Sequence, residues 1–269
     1  MRAWRPLPRQ PSTSGAERLA LSDLVCALML LTRLPVARSA RLGGAPDLAR
    51  CVWAFPLVGL IVNGIGGLVY CVAYRVGMSP MLAAAWTVAA TTVVTGALHE
   101  DGLADTADGF GGGTTAARKM EIMRDSRIGT YGALALLLSM TMRVAAIAAL
   151  GKPTSASAAV VLAGILGRGG MLVIFLVLAP ARSDGMGASM GKPQIRSAGL
   201  GLGLAMASAF FCFPAQAATM AIALGFGSSL VFARLAYTQI GGFTGDVLGA
   251  GEVVTECVVL TAMASVFGG

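Results

Sequence analysis

Charge is scarce in this sequence. Only 12% of its 269 residues are Asp, Glu, Lys or Arg, about half the roughly 25% of an ordinary soluble domain. That scarcity, with several apolar runs near twenty residues long, excludes a soluble globular core and points to a polytopic membrane protein. There is one histidine, His99. The five cysteines (Cys26, Cys51, Cys71, Cys212 and Cys257) include no CxxC pair and lie in or beside apolar segments. They read as packing thiols, which argues against a zinc site or a disulfide framework. The net charge of +7 comes without a basic patch interleaved with aromatics, so nucleic acid is not expected as a partner. Nor is there an apolar stretch after a short basic start with a cleavage site, so no cleaved signal peptide is expected.

What the chain has is apolar helix. Glycine is abundant, at 36 residues, and small residues let membrane helices approach closely. The expected fold is all-α, a polytopic integral membrane bundle of about six to eight transmembrane helices. Residues 1–18 read as a disordered basic cytoplasmic tail and 19–269 as a single transmembrane catalytic domain. Residues 19–34, interrupted by Asp23 and Arg33, suit an interfacial or re-entrant helix. Full spans are expected at 51–74 (bent near one end by Pro56), 80–98, 131–150, 157–179, 198–213, 215–235 and 247–267. The 99–130 segment should be polar and mostly helical, broken at Gly111–Gly113. A basic loop occupies 180–197 and a polar turn 237–246. With the N-terminus inside, sixteen Lys and Arg fall on the cytoplasmic side and two, Arg75 and Lys152, on the other. Such an imbalance orients membrane proteins. It also puts the 99–130 segment, the basic loop and the polar turn on one face.

The scarce charge is concentrated. Of thirteen Asp and Glu residues, six lie within 98–132: Glu100, Asp101, Asp105, Asp108, Glu121 and Asp125. At 100° per residue, Asp101, Asp105 and Asp108 fall within about 60° of one another on a helix. Three carboxylates on one face repel unless a cation sits among them. An all-oxygen set suits Mg²⁺, Mn²⁺ or Ca²⁺, and Mg²⁺ is commonly shared with substrate phosphates. Asp125 could complete the set from a facing helix. Arg124 and Arg127 match phosphate geometry, and positive-inside anchoring would also account for them. His99, which titrates near neutrality, is a candidate general base; a structural histidine at a helix end is the alternative. Glu100 points away from the aspartate face. Near the end, GGFTGDVLGAGEVVTE carries Asp246 after a Gly-rich turn. Glu252 and Glu256 follow, four residues apart within the last span. Such acids mark a functional cavity by default. They could bind a second cation or pair with Arg143 or Arg168.

Two stretches, LHEDGLADTADGFGGG with KMEIMRDSRIGTYG, and GGFTGDVLGAGEVVTE, resemble the signature segments of the cobalamin synthase family, the adenosylcobinamide-GDP ribazoletransferases. TRLPV at 32–36, WAFPLVG at 53–59 and RSDGMGAS at 182–189 resemble the same family. The resemblance runs from about residue 24 to the C-terminus. Glu100 stands where the family has an apolar residue, and the 1–18 tail lies outside its pattern. The resemblance implies a Mg²⁺-dependent phosphoryl transfer at the bacterial inner membrane, with the active site facing the cytoplasm. Adenosylcobinamide-GDP and α-ribazole, or its 5′-phosphate, would give adenosylcobalamin, or its 5′-phosphate, and GMP. It implies Asp101, Asp105, Asp108 and Asp125 as metal ligands, and His99 or an aspartate (Asp105 or Asp108) as the base. Arg124, Arg127, Asp246 and Glu252 would hold substrate.

Other readings remain open from the residues alone. The DxxDG element at Asp105–Gly109 also resembles CDP-alcohol phosphotransferases, but their following Ala-Arg is missing at the expected offset. Membrane prenyltransferases likewise use two aspartate-rich segments. A cation-coupled transporter would place acids near the bilayer midplane, whereas most acids here gather at the cytoplasmic ends.

Overall fold

The structure, a computed structural model, describes residues 13–36, 47–185, 187, 191 and 193–268. Its helices are α1 (Thr13–Leu31), α2 (Leu48–Cys51), α3 (Phe55–Arg75), α4 (Pro80–Thr95), α5 (Leu98–Gly112), α6 (Ala116–Ile122), α7 (Thr130–Leu150), α8 (Pro153–Val177), α9 (Ile195–Cys212), α10 (Ala215–Ile240) and α11 (Gly245–Phe267). The chain is an all-α polytopic membrane bundle. Six of its helices, with α2 and α3 taken as one, are long and apolar enough to cross a membrane. The pair α4 and α5, bent by 90° at the break between them, makes a seventh if it is one span.

Helices α8 and α11 form the centre: 78% of the apolar window of each is buried, against 28% for α7, α9 and α10. Small residues permit the closest contacts. A Cβ on Gly59 of α3 would stand 2.2 Å from the Gly164 carbonyl oxygen of α8. Lipid offers no hydrophobic drive between helices, so this close van der Waals seam helps to join α3 to α8. At the periphery, α1 is tied down by polar contacts. Arg50 meets Asp23 at 2.8 Å, and the Trp53 indole donates to the same carboxylate at 3.2 Å.

The expected second span, 80–98, is corrected. Helix α4 ends at Thr95, where Gly96 and Ala97 both adopt left-handed backbone, at φ 65° and 58°. Its 16 residues span about 24 Å, short of the roughly 30 Å hydrocarbon core. Left-handed backbone costs a non-glycine residue about 1–2 kcal/mol, and Ala97 is the one such residue among those described. The strain sits at the entrance to α5, the helix that carries the acidic stretch. Pro56 does not bend a span: it occupies the first turn of α3, where its missing N–H costs nothing. The 237–246 turn is shorter than expected, since α10 runs on to Ile240. Helix α1 begins at Thr13, inside the stretch read as a tail; residues 1–12 lie outside the described residues.

Candidate functional site

Helix α5 faces three surroundings at once, and each receives different charged residues. The first is the open mouth beside α11. A Cβ on Gly102 would lie 2.7 Å from the Asp246 carbonyl oxygen, and one on Gly249 would lie 3.2 Å from the His99 Cα. The two glycines let the backbones of α5 and α11 touch as they cross. That contact sets Asp246, in the first turn of α11, against the aspartates of α5. Asp101, Asp246 and Asp108 are the charges acting on Asp105. Asp101 is exposed and Asp105 half-buried. Asp246 accepts a hydrogen bond from the Thr244 hydroxyl at 3.1 Å. Asp101 and Asp105 have no side-chain hydrogen bond or ion pair among the described residues.

The second surrounding is the start of α7. The Asp108 carboxylate is buried and accepts from the backbone N–H groups of Gly129 at 2.7 Å and Gly132 at 2.8 Å. Gly129, the residue that precedes α7, offers no side-chain cap. Asp108 therefore caps α7 from another helix, satisfying donors that every helix start leaves unpaired. A Cβ at either glycine would come within 2.4 Å of an Asp108 oxygen. A cleft of about 240 Å³ adjoins this contact, lined by Asp108, Gly112, Ile122, Asp125, Arg127, Gly129, Thr130 and Tyr131. Within it Arg127 hydrogen-bonds Asp125 at 2.6 Å, and that contact holds the Asp125 carboxyl down to about 2. Asp108→Ala is expected to lower stability by about 1–2 kcal/mol through lost capping, read as a drop in thermal midpoint of the detergent-purified protein.

The third surrounding is the bundle interior. Glu100 pairs with Arg143 of α7 at 2.9 Å, and Arg143 reaches Glu256 of α11 at 3.4 Å. Arg168 of α8 meets Glu252 at 2.7 Å and Glu256 at 3.8 Å. His99 Nδ1 lies 3.5 Å from Glu252. Asn63 of α3 donates to Glu256 at 2.7 Å and to the Val160 carbonyl oxygen at 3.1 Å. All seven side chains are buried. Charges inside a span must pair with one another or face a cavity, and here they join α3, α5, α7, α8 and α11.

The residues singled out from sequence thus separate. Asp101, Asp105 and Asp246 meet at the mouth. Asp108 binds the start of α7, and Asp125 and Arg127 hold each other beside it. Arg124 pairs with Asp184 at 2.7 Å. His99 and Glu252 lie in the buried network, where Glu252 and Glu256 pair with the arginines. Sequence reasoning passed over two contributors. Asn63, a lone amide in an apolar span, joins the network. Arg182, noted as part of a basic loop and of the RSDGMGAS segment but given no role, lies 3.6 Å from Asp246.

Among the described residues no group of three His, Cys, Asp or Glu is arranged to hold a metal by itself. Any ion bound here would need ligands beyond the protein. Mg²⁺ is typically held by one or two carboxylates and completed by water and substrate phosphates, not by an all-protein cage. Two carboxylates without partners, with Asp246 close by, fit it.

The helices and this acidic cluster describe a polytopic membrane protein with a polar region where α5 crosses α11. The model of one family, described as "Cobalamin-5-phosphate synthase", matches residues 23–264. The chain belongs to that family, whose members are transferases of cobalamin biosynthesis. It is 44% identical over 248 residues to the adenosylcobinamide-GDP ribazoletransferase of Bradyrhizobium diazoefficiens, covering 92% of this chain and 95% of the relative. It is 41% identical to the proteins of the same name from Mesorhizobium japonicum, over 93% of this chain and 95% of the relative, and Sinorhizobium medicae, over 90% and 95%. No solved structure matches the chain.

Proposed function

We propose that this enzyme joins adenosylcobinamide-GDP to α-ribazole, or to its 5′-phosphate, with release of GMP, at the cytoplasmic face of the bacterial inner membrane. The observation that carries the reading is the meeting of Asp101, Asp105 and Asp246 where α5 crosses α11. Family membership and the names of the relatives support it independently.

A ribose hydroxyl that is free in both the nucleoside and its 5′-phosphate attacks the phosphorus joined to cobinamide. The bond from that phosphorus to the oxygen bridging to GMP breaks, and GMP leaves with the electron pair. Such transfers need positioning and charge neutralisation more than covalent help. Asp101 and Asp246 would hold Mg²⁺ across the helix crossing. When bound, the ion supplies positive charge to the diphosphate and its leaving oxygen. Asp105, between them and without a hydrogen-bond donor, accepts the proton of the attacking hydroxyl. His99 is buried against Glu252, so its part is to hold α5 and α11 together. Asp108 and Asp125 act beside the mouth, through the start of α7.

Purified protein in liposomes with Mg²⁺, adenosylcobinamide-GDP and α-ribazole should release GMP and form the joined corrinoid in equal amounts. Chelation with EDTA should stop both, and excess Mg²⁺ should restore them. No product from substrates that a characterised relative consumes would overturn the assignment.

A further inference from the structure

Three arginines stand near the mouth, and two are already engaged. Arg124 donates to both oxygens of Asp184, at 2.8 and 2.7 Å. Arg127 is bonded to Asp125. Arg182 differs. Its Nη2 lies 3.6 Å from Asp246 and its Nε 3.9 Å from Asp184. Charge-assisted N–H···O contacts close at about 2.7–2.9 Å, so neither is a hydrogen bond. Its Nη1 is buried without a partner. None of its five N–H donors is satisfied by a described residue, although the side chain is only 17% exposed. A half-buried guanidinium in that condition calls for an anionic acceptor.

Its position is fixed, not incidental. The Ala181 N–H donates to the Phe243 carbonyl oxygen at 2.8 Å, and the Phe243 N–H to the Ala179 carbonyl oxygen at 3.0 Å. A Cβ on Gly242 would meet the Ala179 oxygen at 2.3 Å, so the glycine is what lets the strands pair. This clamp holds the residue after Ala181 against the first turn of α11. The Arg124–Asp184 pair braces the same loop from the α6–α7 side.

We infer that Arg182 is a substrate-binding residue that grips a phosphate of the nucleoside-diphosphate ester from beside Asp246. The inference rests on the transfer reading above and adds the group that reads the nucleotide. Carboxylates alone would repel a diphosphate. A cation on Asp101 and Asp246 would offset part of its charge, and the guanidinium beside Asp246 would take a phosphate oxygen.

The test uses the full-length protein in detergent with Mg²⁺, GDP as the calorimetric probe, and steady-state kinetics. Arg182→Ala should weaken GDP binding at least tenfold and raise the KM for adenosylcobinamide-GDP similarly, leaving the KM for α-ribazole within twofold. Arg182→Lys, which keeps a charge but loses the fork, should fall between. Arg118→Ala, on the exposed face of α6, should bind GDP like the parent. Matching thermal midpoints across the variants would show that folding is intact. A general structural defect would move both KM values, and that result would overturn the inference. So would unaltered GDP binding and KM in Arg182→Ala; with a parent that turns over normally, the transfer reading would still stand. A parent that binds GDP through Arg182 but forms no corrinoid product would instead sink the transfer reading and keep the phosphate site.

Discussion

Asp105→Asn is expected to lower turnover by about a thousandfold or more while leaving the thermal midpoint within a few degrees of the parent. The substitution keeps the shape of the side chain and removes its charge and its capacity to take a proton. General base catalysis contributes about 10²–10⁴-fold, and weaker charge complementarity to a neighbouring cation adds to the loss. Stability should barely move, because Asp105 makes no hydrogen bond or ion pair within the described residues and sits among acids. Removing one of several mutually repelling carboxylates relieves the fold. The measurement is GMP release under saturating substrates beside a thermal unfolding scan. Near-parental turnover would remove Asp105 from the chemistry. The contrast with Asp108 separates the two aspartates that periodicity alone treats alike: one expected loss is in rate, the other chiefly in stability.

Arg168→Met should show the opposite pattern, a large loss of stability from a residue that touches no substrate. Arg168 is 2% exposed and donates to Glu252, Asn63 and the Gly164 carbonyl oxygen at 2.7, 3.4 and 3.1 Å. Deleting one partner of a buried pair leaves the other charge uncompensated, at about 3–5 kcal/mol. Thermal unfolding in detergent reads the loss. Adding Glu252→Gln to Arg168→Met should recover part of it, since the stranded charge is removed. Failure of the double variant to recover anything would mean that packing around Arg168, not its charge, is what holds α8 to α11.

The sequence reading reached the bundle, most span positions and the importance of α5, because hydropathy and helical periodicity are local properties. The aspartate face was legible for the same reason: 100° per residue puts Asp101, Asp105 and Asp108 together whatever the rest of the chain does. What periodicity does not reveal is which neighbour each one meets. Asp108 turns out to serve a helix that starts twenty-two residues later, at Thr130. Glu252 follows Asp246 by six residues, about 240° around α11, so the two look into different surroundings. The break at Gly96 and Ala97 was missed because an apolar run continues smoothly across it, and an alanine gives no hint of left-handed backbone. Arg182 was visible as charge but not as a site residue. Its role depends on the pairing of Ala181 with Phe243, which are far apart in the chain.

The crossing of α5 with α11 has a consequence for how the protein is made. Membrane chains are threaded into the bilayer from the N-terminal end, so α11 arrives after α5, α7 and α8. Until it docks, Asp246 is missing from the mouth, and Arg168 sits in the membrane without Glu252 and Glu256, the acids it pairs with. A chain that lacks α11 is therefore electrostatically incomplete. The docking of α11 thus completes the buried charge network and brings Asp246 to the aspartates of α5 in one event.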